Sequence, residues 1–89
     1  MIKEACVQTF DEALIAQQNG ADRIELCSRL DLDGLTPSRD LIRSVKSKLT
    51  IPIKIMIRPR AGDFVYNDQE IEQMKNDILF CDSIKVFGV

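Results

Sequence analysis

The sequence predicts an α/β fold, a half barrel of TIM type built from parallel (β/α) units in the order β-α-β-α-β-α-β. Three observations carry that expectation. Short apolar runs alternate with segments of helical period, the pattern of strands joined by right-handed crossovers. A helix-start signal precedes each helical pattern. In each of the first three strands one row of side chains is apolar, while the other carries charges and sulfur. A doubly wound sheet wants both rows apolar; a barrel with outer helices tolerates polar groups inside.

The elements follow in order. "IKEACV" (2–7) alternates as a first strand. "TFDEALIAQQNG" (9–20) opens on Thr9 with Glu12 three residues later, a capping-box signature, and ends on Gly20 at a position suited to a left-handed cap. "ADRIELC" (21–27) is the second strand. "TPSRDLIRSVKSKL" (36–49) reads as a helix with Thr36 as N-cap, Pro37 in the first turn, and Leu41, Ile42, Val45 and Leu49 on one face. "IPIKIMI" (51–57) is the strongest strand signal, being β-branched. "NDQEIEQMKNDILF" (67–80) starts on Asn67 or Asp68 and offers Ile71, Met74 and Ile78 as its buried stripe. "SIKVFGV" (83–89) closes the chain as a fourth strand.

The bulk figures bound the rest. The 89 residues are 45% hydrophobic and 29% charged, which suits one partial barrel domain over residues 1–89. A net charge of -2 with no Lys/Arg cluster argues against a nucleic-acid partner. No stretch approaches the ~18 apolar residues of a membrane span, and the start lacks a leader pattern, so a cytoplasmic location with no membrane partner is expected. Cys6, Cys27 and Cys81 are widely spaced, which favours reduced thiols over a disulfide framework. With no histidine, imidazole chemistry is excluded within this chain.

In such barrels the site lies at the carboxyl ends of the strands, which here are Cys6, Cys27 and the loop "RPRAGDFVY" (58–66). Cys6 and Cys27, placed at comparable heights on neighbouring strands, would lie roughly 5 Å apart at the backbone. That spacing permits a shared soft ion such as Cu(I), a disulfide, or two small side chains filling the interior. Cys81, near the end of the third helix, reads as core. Arg58 and Arg60, with Gly62 between them and Asp63, suit a small anionic molecule, because a guanidinium fork matches two oxygens at once. Alternatively Glu4, Glu25 and Asp63 meet those charges internally. Glu25 and Asp63 are also the candidate acid-base groups. Asp31 and Asp33 lie in a turn and read as solvated.

Together "KEACV", "ADRIELC", "GLTPS", "IPIKIMIRPR" and "GDFVY" resemble the copper homeostasis protein CutC family, in order from the first residues to about Tyr66, with a looser match through "IKVFGV". The resemblance implies a TIM-type barrel, a cytoplasmic location and copper homeostasis, with Cu(I) bound by Cys6 and Cys27 at the barrel mouth. It also implies an arginine-lined cavity of enzyme type, so a barrel enzyme acting on a small anionic metabolite, with Arg58, Arg60, Gly62, Glu4 and Glu25 on the ligand, is the alternative. The sequence departs from the family pattern at Leu32, Asp33 and Gly34, which replace Glu-Gly-Gly, and at Ala61-Gly62, which replaces a glycine pair. The stretch between Asp77 and Val86 is about one turn short. Four strands where eight are expected imply a fragment of a longer chain, a homo-oligomer that closes one barrel, or an inactive half barrel.

Overall fold

A computed structural model of the chain describes residues 1–86 and 88. Strands β1 (Glu4–Val7), β2 (Arg23–Leu26) and β3 (Ile53–Ile55) form one parallel sheet in sequence order, with helices α1 (Phe10–Gln18) and α2 (Arg39–Lys48) as crossovers and α3 (Asp68–Ser83) after β3. The α/β architecture of parallel units is therefore as expected. A single parallel bridge from Lys54 to Gly88 extends the sheet beyond β3, and the Ile55 N–H donates to the Gly88 carbonyl at 2.9 Å.

The apolar rows went where alternation puts them. Val7, Ile24, Leu26, Ile53 and Ile55 are buried against Ala13 of α1 and Ile42 and Val45 of α2. On the opposite face Glu4 and Cys6 are exposed, and Arg23, Glu25 and Lys54 are half-buried. No charged or polar residue is buried among those described, so the core is closed by apolar contact alone.

Local signals fix the helix ends. The Thr9 hydroxyl accepts from the Glu12 N–H at 3.1 Å, while the Glu12 carboxylate reaches one residue further back, to the Gln8 N–H at 2.9 Å. At the other end Gly20 takes φ +89°, the Gly20 N–H bonds to the Gln17 carbonyl and the Ala21 N–H to the Ala16 carbonyl, a complete Schellman closure. Asn67 and Glu70 form a full capping box on α3.

Three expectations are corrected. The cap of α2 is Ser38, whose hydroxyl accepts from the Leu41 N–H at 3.2 Å, and not Thr36. Thr36 is taken by a long-range partner: its hydroxyl accepts from the Arg58 N–H at 2.8 Å, and its own N–H donates to the Arg58 carbonyl at 3.0 Å.

The stripe Ile71, Met74 and Ile78 is not the buried face of α3, for Ile71 and Ile78 are each 41% exposed. Docking falls to Asp77, Phe80, Cys81 and Ile84, which share the same i, i+3, i+4, i+7 spacing with a carboxylate among them. Arg39 of α2 neutralises Asp77 at 3.6 Å, and Arg39 and Arg43 lie 4.8 and 5.0 Å over the Phe80 ring. Cys81 is 1% exposed in this contact, as its core reading requires.

The fourth strand does not begin at Ser83. That residue ends α3, Ile84 caps it, and Lys85 takes φ +60°, so α3 absorbs the start of the expected run. Gly88 holds the bridge to Lys54, and Phe87 and Val89 lie outside the described residues.

Candidate functional site

The carboxyl ends of the three strands gather Cys6, Glu25, Cys27, Met56 and Arg58 beneath the loops that follow β2 and β3. The register corrects the expected height of the cysteines. Cys6 stands opposite Glu25, which stands opposite Lys54. Cys27 lies two residues further, about 6.6 Å along the strand. The two sulfurs are thus diagonal neighbours, and both cysteines are free thiols.

Cys27 is nonetheless drawn toward β1. Its N–H donates to the Val7 carbonyl at 3.0 Å, and its Sγ lies 3.5 Å from the same oxygen, beside Cys6. Cys6 is exposed and Cys27 is 1% exposed. Burial raises both thiol pKa values, with the charges of Glu25 and Glu4 adding for Cys6, and the Cys6 sulfur and Glu25 adding for Cys27. Both therefore stand protonated at neutral pH.

Gly34 roofs this spot. It is buried at φ +95°, and a Cβ added there would sit 3.2 Å from Met56 Cε and 3.9 Å from Cys27 Sγ. Only glycine combines that dihedral with so close an approach.

Neither Glu4 nor Glu25 meets the arginines. Glu4 pairs with Arg23 at 3.4 Å, an ion pair without hydrogen-bond geometry at Nε. Arg58 is held by backbone oxygens: Nη1 donates to the Leu32 and Gly34 carbonyls at 2.9 and 3.4 Å, and Nη2 donates to the Gly62 carbonyl at 3.2 Å. Its guanidinium lies 5.1 Å over the Phe64 ring. It thereby ties the loop after β2 to the loop after β3.

Arg60 spends its donors on its own loop and on the first turn of α3. Nε donates to the Glu70 carboxylate, Nη1 to the Ala61 and Asp63 carbonyls, and Nη2 to Asp63 Oδ1 at 3.1 Å and the Val65 carbonyl at 2.6 Å. That uses all five N–H groups of a guanidinium.

Asp63 is held below the ordinary carboxylate range by the Val65 N–H and then by Arg60. Glu70 is held low by the Asn67 N–H, against partial desolvation, and then by Arg60. Depressed acids stabilise above their unfolded values and lose that contribution as pH falls through the folded ones. Exchange protection at the Val65 and Asn67 amides is thus expected to stay level from neutral pH to about 5 and to fail in stronger acid. A decline already between about pH 7 and 5 would contradict this ion cluster.

Sequence reasoning missed Gly34, Thr36 and Glu70 as parts of this region. Asp-Gly in the β2–α2 loop was the available signal for Gly34, and Asn67-x-x-Glu70 for Glu70.

The CutC family profile matches residues 1–89. The chain belongs to the CutC family. A human relative, "Copper homeostasis protein cutC homolog", is 52% identical over 77 residues, which is 86% of this chain and 28% of that protein. A CutC family protein of Histophilus somni is 45% identical over 86 residues, 97% of this chain and 35% of the relative. The crystal structure of a putative copper homeostasis protein CutC from Streptococcus agalactiae superposes with a TM-score of 0.90 at 35% identity, covering 99% of this chain and 44% of that one. The chain thus spans under half the length of the CutC proteins it matches, and its parallel (β/α) units correspond to part of their TIM-type barrel. Among the described residues, no helix is long and apolar enough to cross a membrane.

Proposed function

We propose that this CutC chain serves copper homeostasis by holding Cu(I) between Cys6 and Cys27 at the strand ends, the two thiols releasing their protons to solvent as the metal binds. The observation that carries the reading is the approach of Cys27 Sγ to 3.5 Å from the Val7 carbonyl, which brings the buried sulfur beside the strand bearing Cys6. The donor chemistry fits a soft cation: two free thiols share the polar face of the sheet, in a chain without histidine. The names of the human and Streptococcus agalactiae proteins add copper homeostasis as the setting.

The experiment is an anaerobic titration with Cu(I) against a chromophoric chelator. Wild type is expected to take one equivalent, and Cys27→Ser to lose affinity by at least about 100-fold, since a ligand outweighs the outer partners whose loss costs 10–100-fold. Equal affinity in the two proteins would sink the reading.

The rival is a barrel enzyme acting on a small anionic metabolite. It rests on Arg58, whose buried Nε has no acceptor among the described residues. Arg60, with every N–H engaged, gives it no second fork, and Asp63, held ionised, is a weak base. Copper binding is therefore preferred.

A further inference from the structure

We propose that Met56 supplies its thioether as a third soft ligand beside Cys6 and Cys27, giving the site a preference for Cu(I) over harder divalent cations. This deepens the copper reading above and rests on it.

The sheet register brings the residue to the site. Leu26 pairs with Ile55, and the Met56 N–H donates to the Leu26 carbonyl at 3.0 Å, so the ladder continues and sets Met56 beside Cys27. Both side chains reach the underside of Gly34, where an added Cβ would meet Met56 Cε at 3.2 Å and Cys27 Sγ at 3.9 Å. Three successive strands thus present Cys6, Cys27 and Met56 on the same face of the sheet.

Met56 stands outside the apolar core. Its neighbours Ile55 and Ile57 alternate onto the apolar side and join the core cluster, whereas Met56 takes no part in that cluster. It is half-buried beside Cys27, in the strand row that also carries Lys54. A flexible thioether in that row has the chemistry of a ligand.

The remaining donor types do not complete the site. Among the described residues no group of three His, Cys, Asp or Glu side chains is placed to hold a metal. Two thiolates can hold Cu(I) by themselves, and a neutral thioether added to them favours Cu(I), whose softness matches it, over ions that prefer oxygen or imidazole. Gly34 closes the roof, anchored by its N–H to the Arg29 carbonyl at 3.1 Å and by Arg58 on its own carbonyl.

The test combines Met56→Leu, which keeps size and apolarity, with selenomethionine labelling of the full chain. Cu(I) affinity, measured anaerobically against a chelator, is expected to fall by at least about tenfold in Met56→Leu. The copper-edge spectrum of labelled wild type is expected to show a Cu–Se path that the variant lacks, a readout independent of any change in stability. Wild-type affinity in Met56→Leu, with no Cu–Se path and with binding lost in Cys27→Ser, overturns the role of Met56 and leaves the two-thiolate site standing. Equal Cu(I) binding by wild type and Cys27→Ser overturns the copper reading and the ligand role with it.

Discussion

Leu26→Ala is expected to cost about 3 kcal/mol and to lower the melting temperature by about 15 °C, because truncating a buried leucine loses transfer energy and leaves a cavity. Leu26 is 0% exposed, at the centre of the sheet between β1 and β3, and faces the helices. Its neighbours cannot collapse inward easily, since Ile24, Ile55 and Val45 are each fully enclosed as well. A domain of this size has only about 5–10 kcal/mol of stability to lose. Leu79→Ala, at a residue 66% exposed on α3, is the matching control and is expected to change stability by less than about 0.5 kcal/mol. Chemical denaturation of both variants decides the matter, and equal losses would contradict the placement of the core.

Gly34→Val is expected to cost about 2–3 kcal/mol, because a β-branched residue is strained at positive φ and its Cβ collides with what lies beneath. The obstacle is Met56 Cε at 3.2 Å, with Cys27 Cβ at 3.7 Å behind it. A second glycine separates the two contributions. Gly20 has nearly the same dihedral, φ +89°, but open space where its Cβ would go. Gly20→Ala is therefore expected to show backbone strain alone, about 1 kcal/mol. Gly34→Ala is expected to exceed it and to weaken Cu(I) binding by displacing Met56. If the two alanine variants melt together, the roof over the sulfurs is looser than described.

The strand rows, the ends of α1 and the Asn67 cap of α3 were legible because each is written in letters a few residues apart: Ile24 and Leu26, Asn19-Gly20, Asn67-Asp68. What the letters did not carry was partnership over distance. Thr36 reads as an N-cap until Arg58, 22 residues away, occupies its hydroxyl. The docking face of α3 was hidden because Asp77 breaks its apolar pattern, and only Arg39 on another helix makes that carboxylate tolerable. Alternation gave the shared face of Cys6 and Cys27 but not their stagger. Stagger follows from which backbone groups pair, here the Lys3 carbonyl accepting from the Asp22 and Arg23 N–H groups. Likewise the expected partners of Arg58 were an anionic ligand or, alternatively, the carboxylates of Glu4, Glu25 and Asp63, and side-chain acids have letters in the sequence. The carbonyls of Leu32, Gly34 and Gly62 that hold it have none.

The in-order parallel sheet also has a consequence in time. Among the described residues no pair of strands β1–β3 is a hairpin: Glu4 finds Arg23, and Ile24 finds Ile53, only after an entire helix has been spanned. Each pairing must absorb the entropy of closing a long loop before its hydrogen bonds return anything. The capped helices can flicker into shape within about a microsecond, whereas the sheet must wait for distant segments to meet. The Cys27–Met56 neighbourhood, made of two strand ends and the intervening loop, belongs to the slower process and comes into being only when β3 docks.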